Sequence, residues 1–123
     1  PVLYSMGKSW GKKHSVTTWG YHLARMIPGD DNGSWHSADL WYWFGTLENC
    51  WRPMEKRDYE ISETMVNYLT SFVKDGKPSG EPAWPSLTEG GDVMIFGDKP
   101  TEMGKPSLLK LVKIMLTNKA VGE

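Results

Sequence analysis

His36 is the residue of this sequence whose type and position best suit proton transfer. It follows a turn-forming run, residues 28–33, and precedes an aromatic segment that ends at Phe44-Gly45. An imidazole changes its charge near neutral pH, and loops on a rigid scaffold often carry functional side chains. Two interpretations stay open at this point: His36 carries protons in a reaction, or it hydrogen-bonds the backbone of its own loop.

Ser9 is the serine that lies within a Gly-x-Ser-x-Gly sequence, residues 7–11, which is the pattern of a nucleophile elbow. Such an elbow needs a buried strand before the serine and a helix after it, whereas Val16, Thr17 and Thr18 downstream favour a strand. Only 27 positions separate Ser9 from His36, too few for the strands and the acid-bearing loop that such a site requires. We therefore predict that Ser9 is a surface serine of a helix.

The sequence predicts no metal site and no cofactor. Asp30, Asp31 and Asn32 are possible calcium ligands, but the spacing of an EF-hand loop is missing, which favours turn chemistry instead. One cysteine, Cys50, cannot complete the usual zinc ligand set with three scattered histidines, and it cannot form an internal disulfide. A single thiol weakly favours the cytoplasm, but localisation stays open.

Charge and hydrophobicity argue against two classes of partner. The net charge is −1, from 14 basic and 15 acidic residues, so no strong field favours nucleic acid. No apolar run reaches the ~18 residues that suggest a membrane span. The seven tryptophans fit a core, a partner surface or a sugar-binding surface. A non-catalytic, Trp-rich binding or interaction module is therefore an alternative to an enzyme, and a purely structural remnant is a third.

Hydrophobic periodicity predicts about four helices and two strands. We expect both faces of the first strand to be covered, Ser37 and Asp58 to be N-caps, and Gly76 to end the third helix. The last helix begins at Pro106, and docking on the sheet is favoured over a membrane-surface role. The predicted helices cover residues 2–13, 37–45, 58–75 and 106 onward, and the predicted strands cover 15–26 and 92–97.

The segment Trp-His-Ser-Ala-Asp-Leu-Trp-Tyr-Trp-Phe-Gly, residues 35–45, resembles the catalytic-histidine segment of type-B carboxylesterases. These form the cholinesterase and para-nitrobenzyl-esterase-like branch of the α/β-hydrolases. In that family an acidic residue lies three positions after the histidine and an aromatic-Phe-Gly closes the segment, which here gives His36, Asp39 and Phe44-Gly45. The similarity extends over about residues 16–97 in the family's order, through Asp58-Tyr59-Glu60-Ile61-Ser62, Met65, Tyr68, Phe72, Gly76, Pro78, Gly80 and Trp84-Pro85.

The resemblance implies an α/β chain, a C-terminal fragment of an α/β-hydrolase fold, with residues 1–123 forming the part of a catalytic domain that carries the histidine loop. His36 would be the general acid and base of a Ser-His-Glu/Asp triad that acts on a small-molecule carboxylic ester. Trp35, Ser37 and Asp39 would lie beside it as pocket or supporting residues. The serine, the acid and the oxyanion loop would lie upstream, so we expect the isolated chain to be inactive.

The small number of predicted strands indicates a need for a partner. Two strands seldom form a stable sheet alone, and a free strand edge invites pairing. We expect the partner to be the missing N-terminal part of the esterase or a second copy in a domain-swapped dimer, and neither nucleic acid nor a membrane. Because the first residue is Pro1 rather than Met, we also expect a chain that was cut or processed.

Overall fold

The structure, a computed structural model, describes residues 2–90 and 92–105, which form two compact units. Among them, unit 1 holds the residues up to Gly20, the segment Pro85–Val93 and the pair Gly104-Lys105. Unit 2 holds Tyr21–Trp84 and Met94–Met103. The helix predicted from Pro106 onward lies outside the described residues.

Helix α1, Val2–His14, is the main element of unit 1 and confirms the helix predicted over residues 2–13. Lys12, Lys13 and His14 occupy its last turn, where positive charge interacts favourably with the helix dipole. Gly11 is buried, and a Cβ there would lie 2.7 Å from the Thr88 side chain. The helix therefore packs closely along this face because position 11 has no side chain.

A three-stranded sheet contains β1 (Tyr21–Ala24), β2 (Val93–Gly97) and β3 (Glu102–Gly104), in the order β1-β2-β3. Strands β1 and β2 are parallel, with Leu23 opposite Phe96. The strand predicted over 15–26 is therefore much shorter, and β3 lies outside both predicted strands. The expectation that both faces of β1 are covered is wrong, because only Leu23 of its four residues is buried.

Helix α2 spans Leu40–Trp43, and a short 3-10 helix, Leu47–Asn49, follows it. Both are shorter than the helix predicted over 37–45. The N-cap of α2 is Asp39, so the prediction that Ser37 is the N-cap is wrong. Ser37 has a left-handed backbone with φ of +66° and lies two residues before this N-cap. The chain makes a separate turn before the helix begins.

Helix α3, Lys56–Asp75, is the longest described helix and begins two residues before the predicted one. Its N-cap is Glu55, which corrects the prediction for Asp58. Asp58 instead lies in the first turn, where its carboxylate accepts a hydrogen bond from the Glu55 backbone N–H at 2.8 Å. Gly76 ends the helix as predicted, with φ of +73° and its N–H bonded to Phe72 O at 2.8 Å.

Phe96 of β2 lies at the centre of the aromatic core of unit 2. Its ring contacts those of Tyr68 and Trp84 at centroid distances of 6.2 and 5.9 Å. The Trp84 side chain is also buried, so it anchors its segment by packing. On α3 the apolar residues Ile61, Met65 and Tyr68 are buried, while Leu69 is half-buried and Phe72 and Val73 are exposed.

An ionic cluster around the buried side chains of Arg25 and Asp58 joins the end of β1 to the start of α3. The guanidinium of Arg25 donates to Asp58 at 2.8 and 3.1 Å, to Glu55 at 2.7 Å, and to Asp98 in the turn after β2. The Tyr42 hydroxyl also donates to Asp58, at 2.7 Å. Burial alone would raise the pKa of Asp58, but the hydrogen bonds from Arg25, Tyr42 and the backbone outweigh it and lower that pKa. The cluster fixes the chain directly after β1, upstream of residues 28–35, the loop that leads to His36.

Candidate active site

The loop that leads to His36 leaves β1 and returns to it. The Ser34 hydroxyl donates to Leu23 O at 2.8 Å, which ties the loop back to the strand. Gly29 and Gly33 both have positive φ, at +113° and +68°, so the chain reverses where side-chain residues would be strained. The Asn32 N–H donates to the Asp30 carboxylate at 3.0 Å. These residues therefore build a turn, as predicted from their types.

His36 is exposed and lies in the turn that precedes α2. The turn closes through a hydrogen bond from the Ala38 N–H to Trp35 O at 3.1 Å, and the Ala38 side chain is buried. Ser37 carries the left-handed backbone noted above, a conformation that costs a non-glycine residue about 1–3 kcal/mol. A buried alanine and a backbone hydrogen bond thus hold a strained turn that presents the His36 side chain to solvent.

Asp39 lies three residues after His36 but interacts with the sheet. The Tyr21 hydroxyl, at the start of β1, donates a hydrogen bond to Asp39 Oδ2. Burial raises the pKa of Tyr21 to about 12, and the hydrogen bond to Asp39 adds to the shift. Within the part of the chain that the structure describes, the carboxylate of Asp39 therefore fixes the start of α2 to β1.

Arg52 is a residue of this site that the sequence analysis missed. Its side chain is almost fully buried, and its guanidinium lies over the Trp35 ring at 4.2 Å and the Trp51 ring at 4.6 Å. It donates to Pro28 O at 2.9 Å and forms an ion pair with Asp30. The signal available in the sequence was a basic residue beside a tryptophan, but no spacing rule links position 52 to position 30.

Ser9 does not lie in a nucleophile elbow. It is an exposed residue inside α1, as predicted, with helical residues on both sides rather than a strand before it. An elbow exposes its serine on a sharp strand-to-helix turn, and a residue within a continuous helix lacks that geometry. The Gly-x-Ser-x-Gly sequence of residues 7–11 is therefore a chance match.

Two of the surface depressions on the described chain are not lined by His36. One of about 350 Å³ lies between α3 and the segment that follows α2, with Tyr59 and Asn67 on its wall, and one of about 480 Å³ lies along α1 beside Trp10. Among residues 2–90 and 92–105, no three His, Cys, Asp or Glu side chains are grouped as metal ligands would be. Nor is any helix in these ranges both long enough and apolar enough for a bilayer.

The fold agrees with that of α/β-hydrolase esterases. A solved PNB esterase is similar over 89% of this chain, with a TM-score of 0.69 and 20% identity. An esterase from Clostridium hathewayi, described as hydrolysing aliphatic aromatic polyesters, is similar over 75%, with a TM-score of 0.67 and 22% identity. A carboxylesterase of Geobacillus stearothermophilus is similar over 83%, with a TM-score of 0.62 and 17% identity. The chain thus has part of an α/β-hydrolase fold, as predicted.

The sequence identifies the family. The model of the carboxylesterase family matches residues 3–112, so this chain belongs to the carboxylesterase family. Among curated proteins, none matches the chain significantly. The chain spans only about a fifth of the length of the similar solved esterases, between 19% and 23%.

Proposed function

We propose that this chain is the C-terminal part of a serine carboxylic-ester hydrolase and that His36 is the general acid and base of its triad. The observation that supports this role is an exposed histidine on an anchored turn, in a chain of the carboxylesterase family. The substrate would be a small carboxylic ester. The serine, the triad acid and the oxyanion donors come from polypeptide outside these 123 residues.

The proposed reaction uses His36 twice. The imidazole takes the proton of the serine hydroxyl as that oxygen attacks the ester carbonyl, and then gives the proton to the departing alcohol. Water next attacks the acyl-enzyme with His36 as base, and the imidazolium then returns that proton to the serine oxygen as its bond to the acyl carbon breaks and the acid product leaves. An exposed imidazole is available for such a partner. Trp35 and Ser37 would form the adjoining wall, and Asp39 would hold the start of α2 behind it.

The test is reconstitution. The purified 123-residue chain alone should hydrolyse a p-nitrophenyl ester no faster than the buffer. Adding the segment encoded upstream, with its strand, Gly-x-Ser-x-Gly sequence and helix, should give turnover. His36→Ala should abolish that turnover, whereas His14→Gln, a change at another exposed histidine, should leave it intact.

Two outcomes would contradict the proposal. Turnover by the isolated chain that is lost in Ser9→Ala would make Ser9 a nucleophile and these residues a complete enzyme. Turnover by the reconstituted protein that persists in His36→Ala would move the acid–base role to another residue. The triad assignment would fail in either case, although membership of the family would stand.

A complementing polypeptide is part of the proposal. Among the described residues, strand β1 has a hydrogen-bonded neighbour on one side only, and Tyr21 and His22 of this strand are exposed. The upstream part of the esterase is the partner that would cover this edge, and a second copy of the chain would do so in a swapped dimer. Sedimentation of the isolated chain checks this, since a monomer at high concentration would argue against both partners.

Tryptophan exposure does not favour the alternative of a Trp-rich binding module. Trp41 and Trp43 are half-buried, and Trp43 packs edge-on against Tyr21 and Phe96 at 4.9 and 6.0 Å. Trp35 is 40% exposed, but its ring faces the Arg52 guanidinium. A flat, solvent-facing row of tryptophans is what such a module needs, whereas the rings of Trp35 and Trp43 contact other side chains of unit 2. Trp10 and Trp51 are more exposed, at 59% and 76%, but the Trp51 ring also faces the Arg52 guanidinium.

A further inference from the structure

We propose that Arg52 is a positioning residue for His36. Its buried guanidinium contacts the start, the middle and the end of the loop that precedes the histidine, residues 28–35. The inference rests on the proposed function for its catalytic consequence, but the placement of the loop can be tested separately. We call the guanidinium and its three loop partners (Pro28, Asp30 and Trp35) the Arg52 clamp.

Each contact of the Arg52 clamp constrains a different part of the loop. Nη1 donates to Pro28 O at 2.9 Å, where the loop begins, and Nη2 pairs with the Asp30 carboxylate in the middle. At the end of the loop the guanidinium lies 4.2 Å from the centroid of the Trp35 ring, one residue before His36. A single side chain from outside the loop therefore links its two ends.

The loop backbone also lies directly against the arginine. A Cβ at Gly29 would sit 3.1 Å from Nη1 of Arg52 and 3.3 Å from its Cγ. This close approach leaves little room for a different path of residues 28–30 while Arg52 stays in place. Because the side chain is only 7% exposed, the guanidinium is also shielded from the water that would otherwise weaken its ion pair.

Arginine suits this role better than lysine. Its planar fork can donate to a carbonyl and a carboxylate at once while its face covers an aromatic ring, and an ammonium cannot do all three. Trp51, at 4.6 Å, contacts the same guanidinium and helps to fix its plane. The Arg52 clamp therefore restricts both the position and the orientation of the residue that precedes His36.

The first test uses the 123-residue chain without any assay of activity. Amide hydrogen exchange over residues 29–38 is compared between the wild type and Arg52→Met, with α3 as an internal reference. We expect exchange in this loop to rise at least about tenfold, since a charged hydrogen-bonded pair and a cation–π contact are both lost. The matched control is Arg57→Met, because Arg57 donates to Gly97 O and Lys99 O and so holds a different turn.

Conservative variants keep the proposal testable if Arg52→Met fails to fold. Arg52→Lys retains the charge and should recover part of the protection, and Asp30→Asn removes only the ion pair and should give an intermediate rise. The second arm measures the reconstituted esterase, where Arg52→Met should lower kcat by about 10- to 100-fold with little change in KM, as expected for a misplaced acid–base group.

The outcomes separate this inference from the proposed function. The Arg52 clamp would be overturned if residues 29–38 of Arg52→Met exchanged their amide hydrogens as slowly as the wild type. If Arg52→Met does not fold, the same result in both Arg52→Lys and Asp30→Asn would overturn it. So would a rise of equal size in Arg57→Met. Increased loop exchange together with a reconstituted protein that His36→Ala does not impair would support the clamp and refute the triad role. Increased exchange with an unchanged kcat would show that Arg52 orders the loop without positioning the histidine, and would refute the inference.

Discussion

Replacing Asp58 by asparagine should destabilise unit 2 far more than replacing either of the other carboxylates that contact Arg25. The three carboxylates share one guanidinium but differ in exposure. Asp58 is fully buried, whereas the side chains of Asp98 and Glu55 are 49% and 64% exposed. The comparison therefore holds the partner constant and varies the burial of the carboxylate.

The magnitude follows from what each change leaves behind. Asp58→Asn removes the negative charge that faces the Arg25 guanidinium at 2.8 Å. It also replaces one carboxylate oxygen by an NH2 group, which would then face an N–H donor of Arg25 or of the Glu55 backbone. Removing one partner of a buried ion pair costs about 3–5 kcal/mol. Because Arg25 keeps two exposed carboxylate partners, we expect the low end, about 3 kcal/mol. Asp98→Asn and Glu55→Gln should each cost at most about 1 kcal/mol, as for exposed pairs.

Urea unfolding followed by far-UV circular dichroism measures the difference, with hydrogen exchange in α3 as the probe local to unit 2. For slopes of about 1–3 kcal/mol per M, Asp58→Asn should lower the midpoint by about 1–3 M, with the slope unchanged. The two exposed variants serve as controls. Equal midpoints in Asp58→Asn and Asp98→Asn would refute the reasoning, because burial would then not decide the strength of the pair.

Three further predictions concern the histidine loop. The hydrogen bond from Arg52 lowers the pKa of Asp30 from 3.8 to about 2. The ion pair therefore stabilises the fold above pH 3.8, and this stabilisation is lost as the pH falls from 3.8 to about 2. The free energy of unfolding of Asp30→Asn should depend less on pH in that window. Gly29→Ala should cost about 2–3 kcal/mol, against about 1 kcal/mol for Gly76→Ala, in urea titrations, because both glycines have positive φ but only Gly29 has Arg52 beside it. Ser37→Gly should raise thermal stability by about 0.5 kcal/mol, since relief of a left-handed serine, about 1–2 kcal/mol, exceeds the entropy cost of glycine, about 0.5–1 kcal/mol.

Local signals predicted the helices well where periodicity and stop signals agreed. Helix α1 and the end of α3 at Gly76 follow from apolar spacing and from a glycine that can adopt positive φ. Tertiary contacts decided the rest. The capping residue of α3 is Glu55 rather than Asp58, because Asp58 is turned inward to Arg25, which lies 33 residues away in the sequence. No property of the local sequence indicates that pairing.

The strands were harder to predict because their lengths depend on neighbours. The apolar pattern of residues 15–26 suggested a long, covered strand, yet only Tyr21–Ala24 pairs with β2. Strand β3 has three residues and includes a glycine, so it shows no alternation that a pattern could detect. Hydrogen-bonding to β2, rather than propensity, makes it a strand.

The sequence selects a candidate histidine but not the residues that hold its loop. His36 could be selected from residue type and neighbouring sequence, because turn formers and aromatic residues on either side are local features. Tyr21, which binds Asp39, and Arg52, which binds Asp30, are 18 and 22 residues from their partners. Such contacts depend on how β1 and the loops fold together, so the sequence names the acid–base candidate without the residues that hold it.

The anchors of the histidine loop imply that His36 is positioned before any partner binds. Ser34 hydrogen-bonds the loop to β1, and Arg52 contacts the loop at both of its ends. The buried side chain of Ala38 holds the turn that contains His36. All three residues lie within residues 21–84 of unit 2. None of these anchors requires the serine or the triad acid. In the proposed esterase, the part that carries the serine would therefore bind next to a loop that is already ordered. The conformational entropy cost of ordering this loop would then be met when this chain folds, and would not weaken assembly of the two parts.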